Sequence, residues 1–173
     1  MLSSLDIFIP FYLIYNNMEI RIHGWEAGIR FSAGHFVPRH KKCERMHGHI
    51  YAVNAIIEGE QDEDGMVLDF LEIKKTLKKF ANELDHRVIL PGNSDFVKVE
   101  VGDEIQVKVG DKRYTFPLTD VVILDIPNTS AEELAKFLLK RFLDEFELNE
   151  RIKEVTIGVD EGPGQSAWAR KRL

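Results

Sequence analysis

The sequence predicts an α+β domain built on an antiparallel sheet. Strand-like segments come in pairs near the two ends of the chain, and two longer segments between them repeat their apolar residues at helical spacing. Strands and helices are therefore segregated rather than alternating, which favours antiparallel pairing. The chain has 173 residues, 44% of them hydrophobic, enough for one domain with a real core.

Each element follows in order. Glu19 to Phe31 reads as a strand with Ile20, Ile22, Ile29 and Phe31 apolar, and Gly24 and Gly28 mark a bulge or bend. Pro38 to Arg45 is polar and basic, hence a loop. His47 to Glu58 alternates again and should pair with the first strand, and Gln61 to Gly65 is an acidic turn. Asp69 opens a helix, with Glu72 as its capping-box partner and Phe70, Ile73, Leu77, Phe80 and Leu84 on one stripe. Asp85 and His86 fall at that helix's C-terminal end, and Pro91 to Asn93 makes a turn. From Phe96 to Phe116 short alternating runs are divided by Gly-Asp turns, as in a small hairpin. Val121 to Ile126 is a short apolar run. A second helix starts near Ser130 and runs through Leu134, Phe137, Leu138, Phe142 and Phe146. Val155, Ile157 and Val159 alternate toward Glu161, and Ser166 to Leu173 makes a last strand after the turn at Gly162 to Gly164. The predicted order is β-β-α-(hairpin)-α-β-β.

Residues 1–17 stand apart. Their apolar run from Ile7 to Tyr15 is broken by Pro10 and is far short of the roughly 20 residues that span a bilayer. It lacks the basic start and small-residue cleavage site of a secretory signal. It reads as a dispensable extension or misplaced start, or else as an apolar tail for a neighbouring subunit. Residues 18–173 form the single expected domain, with 92–120 as an addition to it. The formal net charge of −6 argues against nucleic acid as the main partner, and Arg170 to Arg172 is too short a basic run to reverse this. A single cysteine forms no internal disulfide, so nothing points to an oxidising compartment. The expectation is a cytoplasmic protein without a membrane partner.

The chemistry concentrates between Cys43 and His49, read CERMHGH. Residues i and i+2 of a strand share a face, so His47 and His49 reach one ion without bending the backbone. His35, in FSAGHF, supplies a third imidazole. Three neutral imidazoles with an open position are the ligand set of a catalytic zinc, whereas structural sites are closed by a fourth protein ligand. Cys43 has two readings: that fourth ligand, or a free thiolate acting as base or nucleophile, its ionisation aided by Lys41, Lys42 and Arg45. His23 and His40 lack the spacing and read as surface or turn residues. Asp85 and His86 are either a helix terminus or a carboxylate–imidazole pair that relays the proton of Cys43. Glu161 is either a solvated strand end or an anchor for paired N–H donors. Thr129, Ser130, Glu132 and Glu133 look like helix caps first.

The series FSAGH, CERMHGH, GMVLDF, LDH, a hydroxyl-rich helix start and a strand ending in glutamate resembles the 6-pyruvoyl-tetrahydropterin synthase superfamily. Three residues between the cysteine and HGH resemble the 6-carboxytetrahydropterin synthase branch. The resemblance implies a tunnelling fold, with a four-stranded antiparallel sheet carrying two helices on one face. It implies zinc on His35, His47 and His49, catalysis by Cys43 with Asp85 and His86, and pterin binding by Glu161. Ser130 and Glu132 fall on the matched hydroxyl and carboxylate of the second helix start. It further implies trimers or hexamers with interfacial active sites, so that Cys43 and Glu161 could serve one pocket from different chains.

The implied reaction converts 7,8-dihydroneopterin triphosphate to 6-carboxy-5,6,7,8-tetrahydropterin, with loss of triphosphate and cleavage of the side chain. Zinc acts as a Lewis acid there, and Lys41, Lys42 and Arg45 are candidate triphosphate contacts. The alternatives are a pterin enzyme releasing 6-pyruvoyl-tetrahydropterin or a hydroxymethyl-dihydropterin, or a non-catalytic zinc-stabilised module closed by Cys43. The segment 92–120 is extra relative to compact members and could cap the pocket, reshape substrate choice or extend an interface.

Overall fold

A computed structural model describes residues 17–173, so the expected extension lies, apart from Asn17, outside the described residues. The chain runs β1 (Met18–Ile22), α1 (Gly24–Ala27), β2 (Arg30–His35), β3 (His47–Gly59), α2 (Phe70–Leu84), β4 (Arg87–Pro91), β5 (Val97–Val101), β6 (Ile105–Val109), β7 (Lys112–Phe116), β8 (Val121–Leu124), α3 (Ala131–Glu145), β9 (Ile152–Glu161) and β10 (Ser166–Arg172). Seven strands make the main sheet, in the order β10-β9-β3-β2-β4-β8 with β1 also on β3. Among the described residues no helix is long and apolar enough to cross a membrane.

The expected four-stranded antiparallel sheet is present as the part made by β1 with β2, then β3, β9 and β10. The first strand departs from expectation in its middle. The bend expected at Gly24 and Gly28 is a full helical turn, α1, and β1 and β2 take successive halves of the long β3 on either side of it. Gly24 lies against the β3 backbone, where a Cβ would collide with the Val53 carbonyl, and its N–H donates to Asn54 Oδ1 at 2.8 Å. Gly28 closes the turn at φ 66°, a left-handed conformation cheapest for glycine.

The sheet is also wider than four strands. β4 and β8 extend it by parallel pairing beyond β2, where a helix end and a turn were expected for β4. Five residues with an arginine at one end and a proline at the other carry no strand periodicity, and their partners are far away in sequence. The expected hairpin is a three-stranded antiparallel meander, β5-β6-β7, forming its own sheet.

Both helices begin as expected. Asp69 accepts the Leu71 N–H at 2.7 Å, and Ser130 accepts the Glu133 N–H at 3.4 Å. Ile73, Leu77, Phe80 and Leu84 of α2 and Leu134, Leu138 and Phe142 of α3 are buried, although Phe70 is exposed. They pack on Phe31, Tyr51, Val53, Ile57, Val155, Ile157 and Val159, so one face of the sheet holds the main core. Each such side chain contributes roughly 1.5–3 kcal/mol by burial. A second core under the small sheet joins Val97, Ile105, Val107 and Val109 to Phe36, Leu90 and Val121.

Gly24→Ala forces its Cβ into the Val53 carbonyl and should cost about 1–3 kcal/mol. Chemical denaturation of the two proteins checks this: a midpoint equal to wild type would show that α1 does not depend on close approach.

Candidate active site

The site is a continuation of the core face of the sheet. On β2 and β3 the register sets His35 opposite His47 and Ala33 opposite His49, and one step further Tyr51 faces Glu161 on β9. The two-residue period puts His47, His49 and Tyr51 on one face. Tyr51 is fully buried and stacks on Phe31 with ring centroids 4.7 Å apart, which anchors the grid in the core. The three imidazole rings lie 4.5, 5.0 and 5.3 Å from one another, and one donor atom of each falls within 4.8 Å of the others. These are the three residues the sequence singles out.

Two of the rings are oriented by carbonyls. His35 Nδ1 lies 2.9 Å from the Thr129 carbonyl oxygen and His47 Nδ1 lies 2.7 Å from that of Arg45. A carbonyl only accepts, so each Nδ1 carries the proton and each Nε2 presents a lone pair. His35 is fully buried, and its Nε2 has no hydrogen-bond partner among the described residues. Such an orphan costs roughly 1–3 kcal/mol unless something binds it. Burial is the main reason that the His35 pKa is pushed down to about 4; the Thr129 carbonyl opposes the shift, and His47 and His49 add to it. The ring is therefore neutral near pH 7, the form that ligates metals. A divalent ion bound by imidazole nitrogen fits this donor set.

Thr129, expected as a capping residue, braces the candidate site instead. Fully buried, it fixes His35 through its carbonyl, and its hydroxyl donates to the Phe36 carbonyl at 2.8 Å. Glu161 Oε1 lies 3.4 Å from His35 Nε2 and 3.8 Å from His49 Nε2. The Tyr51 hydroxyl donates to the same oxygen at 3.5 Å. Burial, with Glu161 beside it, pushes the Tyr51 pKa up, so the phenol keeps its proton.

A cavity of about 380 Å³ opens beside the triad, lined by Cys43, His47, Ser130, Glu132 and Glu161. Cys43 and Glu161, which could have met from different chains, line one cavity within a single chain. The thiol is not among the converging donors. His40, read as an ordinary turn residue, lines the cavity too, as does Gln165. Nothing local marks either, since both arrive on loops. Lys41, Lys42 and Arg45 are exposed and are not among its lining residues.

Asp85 and His86 lie elsewhere. His86 lines a second depression, of about 630 Å³, on the side of the triad reached by His47 and His49. Asp85 Oδ1 accepts the Ser32 N–H at 2.6 Å and Oδ2 lies 2.8 Å from His86 Nδ1. The His86 N–H donates to the Ser32 carbonyl at 2.7 Å. These contacts hold His86 at φ 56° while 84% of its side chain stays exposed. Partial burial works against the Asp85 charge, but the Ser32 N–H and His86 outweigh it and hold the carboxyl below its usual range.

Known proteins resemble this chain over most of its length. The profile of the family described as 6-pyruvoyl tetrahydropterin synthase matches residues 26–172. A Methanocaldococcus jannaschii protein provisionally named 6-carboxy-5,6,7,8-tetrahydropterin synthase is 38% identical over 160 residues, 90% of this chain and 98% of that one. The solved Plasmodium falciparum 6-pyruvoyl tetrahydropterin synthase superposes with a TM-score of 0.85 at 32% identity, covering 92% of this chain and 100% of that one. A Plasmodium vivax 6-pyruvoyltetrahydropterin synthase, solved with a catalytic glutamate replaced by alanine, superposes equally well at a TM-score of 0.85 and 28% identity, with the same coverage.

Two outcomes follow. Stoichiometric binding of an added divalent ion, read by calorimetry, should be seen in the wild type, lost in His35→Ala and kept in Cys43→Ala, and the protein loaded with cobalt should lack an intense thiolate charge-transfer band. A strong band would place the sulfur on the metal. Asp85→Asn tests the second depression. The folded-state pKa of Asp85 lies below the unfolded one, so its charge stabilises the fold above the unfolded value, and that contribution fades as pH falls through the folded value. The variant should melt below wild type at pH 7, with the gap narrowing toward pH 3; a gap that does not change with pH contradicts the pairing.

Proposed function

Because this chain belongs to the 6-pyruvoyl tetrahydropterin synthase family, we propose that it is a zinc-dependent pterin lyase converting 7,8-dihydroneopterin triphosphate to 6-carboxy-5,6,7,8-tetrahydropterin. One observation carries the reading. Three imidazoles converge, one of them with a buried, unpartnered Nε2, and a thiol outside the converging donors lines the neighbouring cavity together with a carboxylate.

His35, His47 and His49 hold the ion, which when bound supplies Lewis-acid polarisation of the substrate's side-chain oxygens. Cys43 takes a proton from the side chain as general base. Glu161 accepts paired N–H bonds from the pterin edge, a geometry that suits one carboxylate. Tyr51, kept protonated, holds Glu161 in place. Ser130 and Glu132 line the same cavity, where they contact the substrate. His86, oriented by Asp85, exchanges a proton with the substrate or with Cys43.

Cys43 and His86 line separate depressions of one chain. The working site is therefore completed by a neighbouring copy that brings its own Asp85–His86 pair to the cavity of the first. The assembly is a homo-oligomer, a trimer or hexamer. Residues 18–173 are its single catalytic domain.

A second reading has its own observation. The Plasmodium vivax synthase uses a catalytic glutamate, and here Glu44 directly follows Cys43. With Glu44 as base in place of the thiol, the second reading releases a hydroxymethyl-dihydropterin. The cavity argues for the thiol, since Cys43 lines it and Glu44 instead pairs with Lys112 at 3.5 Å.

Mass spectrometry of the product from zinc-loaded protein and 7,8-dihydroneopterin triphosphate decides. The expected product is 6-carboxytetrahydropterin, and Cys43→Ala should lower kcat/KM by about 10²–10⁴-fold. A hydroxymethyl-dihydropterin product abolished by Glu44→Gln would establish the second reading, and no turnover at all would overturn both.

A further inference from the structure

The loop that carries Cys43 joins β2 to β3 and is strained. Arg39 and Lys41 sit at φ 63° and 45°, a region costing non-glycine residues of order 1–3 kcal/mol each unless the surroundings enforce it. Within the loop, the Val37 N–H donates to the Cys43 carbonyl at 2.7 Å and the Cys43 N–H to the His40 carbonyl at 2.9 Å. These bonds shape the turn but do not tie it to the rest of the protein.

The small β5–β7 sheet does that at several points. Tyr114 stacks on Phe36 at 5.7 Å with ring planes 13° apart. The Arg39 guanidinium lies over the Phe96 ring, 4.8 Å from its centroid. Met46 packs on the same core as Val97 and Val107. Lys112, at the start of β7, donates from Nζ to the Glu44 carbonyl at 3.0 Å and lies 3.5 Å from Glu44 Oε1. That carbonyl belongs to the residue after Cys43, so the ammonium fixes the orientation of the backbone that aims the thiol.

We propose that the β5–β7 sheet is a brace for the Cys43 loop, and that Lys112 is a positioning residue for catalysis. This rests on Cys43 being the reacting thiol. None of the hydrogen bonds and ring contacts described for Glu161 and the imidazoles comes from the small sheet, so its influence runs through the loop. A misplacement of about 1 Å at a reacting group can cost as much as 10²-fold in rate, and a strained loop is where such a misplacement arises.

The test compares Lys112→Met and Lys112→Arg with wild type by hydrogen exchange, zinc content and steady-state kinetics. Lys112→Met should speed amide exchange in residues 37–46 by about tenfold and lower kcat by about tenfold, with KM within about twofold. Exchange in α2 and α3 and zinc content should not change, and Lys112→Arg should recover both loop protection and kcat. Arg39→Ala, at an exposed position, should loosen the same segment and gives a second measurement if Lys112→Met folds poorly. Loop exchange equal to wild type overturns the brace, as does acceleration spread evenly over the protein. Faster loop exchange with unchanged kcat removes Lys112 from the reaction. A wild-type protein without turnover sinks the underlying functional reading instead, and the exchange measurement then decides the brace alone.

Discussion

The pairing register between β2 and β3 is the constraint on which the rest of the molecule depends. It sets His35 opposite His47 and leaves His49 two residues along on the same face. A slip of one residue would turn every side chain of one strand to the other face and dissolve the triad. The hydrophobic core prevents the slip. Phe31 and Tyr51, register partners and both buried, hold the same two strands a few residues away. Apolar burial thus fixes the metal-binding geometry, and the imidazoles occupy the end of a face that elsewhere packs against helices. Near pH 7 the buried His35 keeps an uncharged ring, so the fold carries no unpaired buried cation there.

A second layer converts that placement into orientation. Thr129, just before α3, reaches both His35 and Phe36, linking the start of a helix to the last residue of β2 and to the first residue of the Cys43 loop. Glu161 arrives on β9 and meets Tyr51 across the strand pair. The candidate site is therefore assembled from three strands of the antiparallel sheet, β2, β3 and β9, one helix start and one loop. Each polar group in it that holds a ring in place is held in turn by backbone or by a buried aromatic. This is the outer support that metal ligands need to keep one tautomer.

The parts legible in the sequence are those encoded locally. A two-residue period places His47 and His49 together, and capping chemistry announces α2 at Asp69 and α3 at Ser130. The helical stripes and the β9–β10 pair follow from periodicity. What escapes is long-range. β4 gains its strand character from β2 and β8, far off in the chain, and α1 exists because Gly24 can approach the β3 backbone. The bond from His35 to Thr129 spans 94 residues, and no spacing rule encodes it. His40 and Gln165 enter the cavity by loop trajectories that composition does not describe. Cys43 is a middle case: the residues alone leave it between ligand and base, and in the fold its sulfur lies outside the group of converging donors.

Backbone strain divides the site in an informative way. The candidate ligands His35, His47 and His49 sit in regular strands, whereas the positive-φ non-glycine residues among those described are Arg39, Lys41 and His86. All are exposed, and they fall on the chain segments bearing the candidate proton-transfer groups rather than the metal ligands. Glycine at such positions would relieve the cost. Arg39 retains a side chain that stacks on Phe96. His86 retains a ring whose Nδ1 is tied to Asp85 and whose body faces solvent, with no packing contribution to offset the strain. The pair with Asp85 is thus what this strained, exposed imidazole offers its own chain, and strain of this kind is the mark of a group held for a function rather than for packing. On the proposed reading, the depression it lines is where a neighbouring copy meets it.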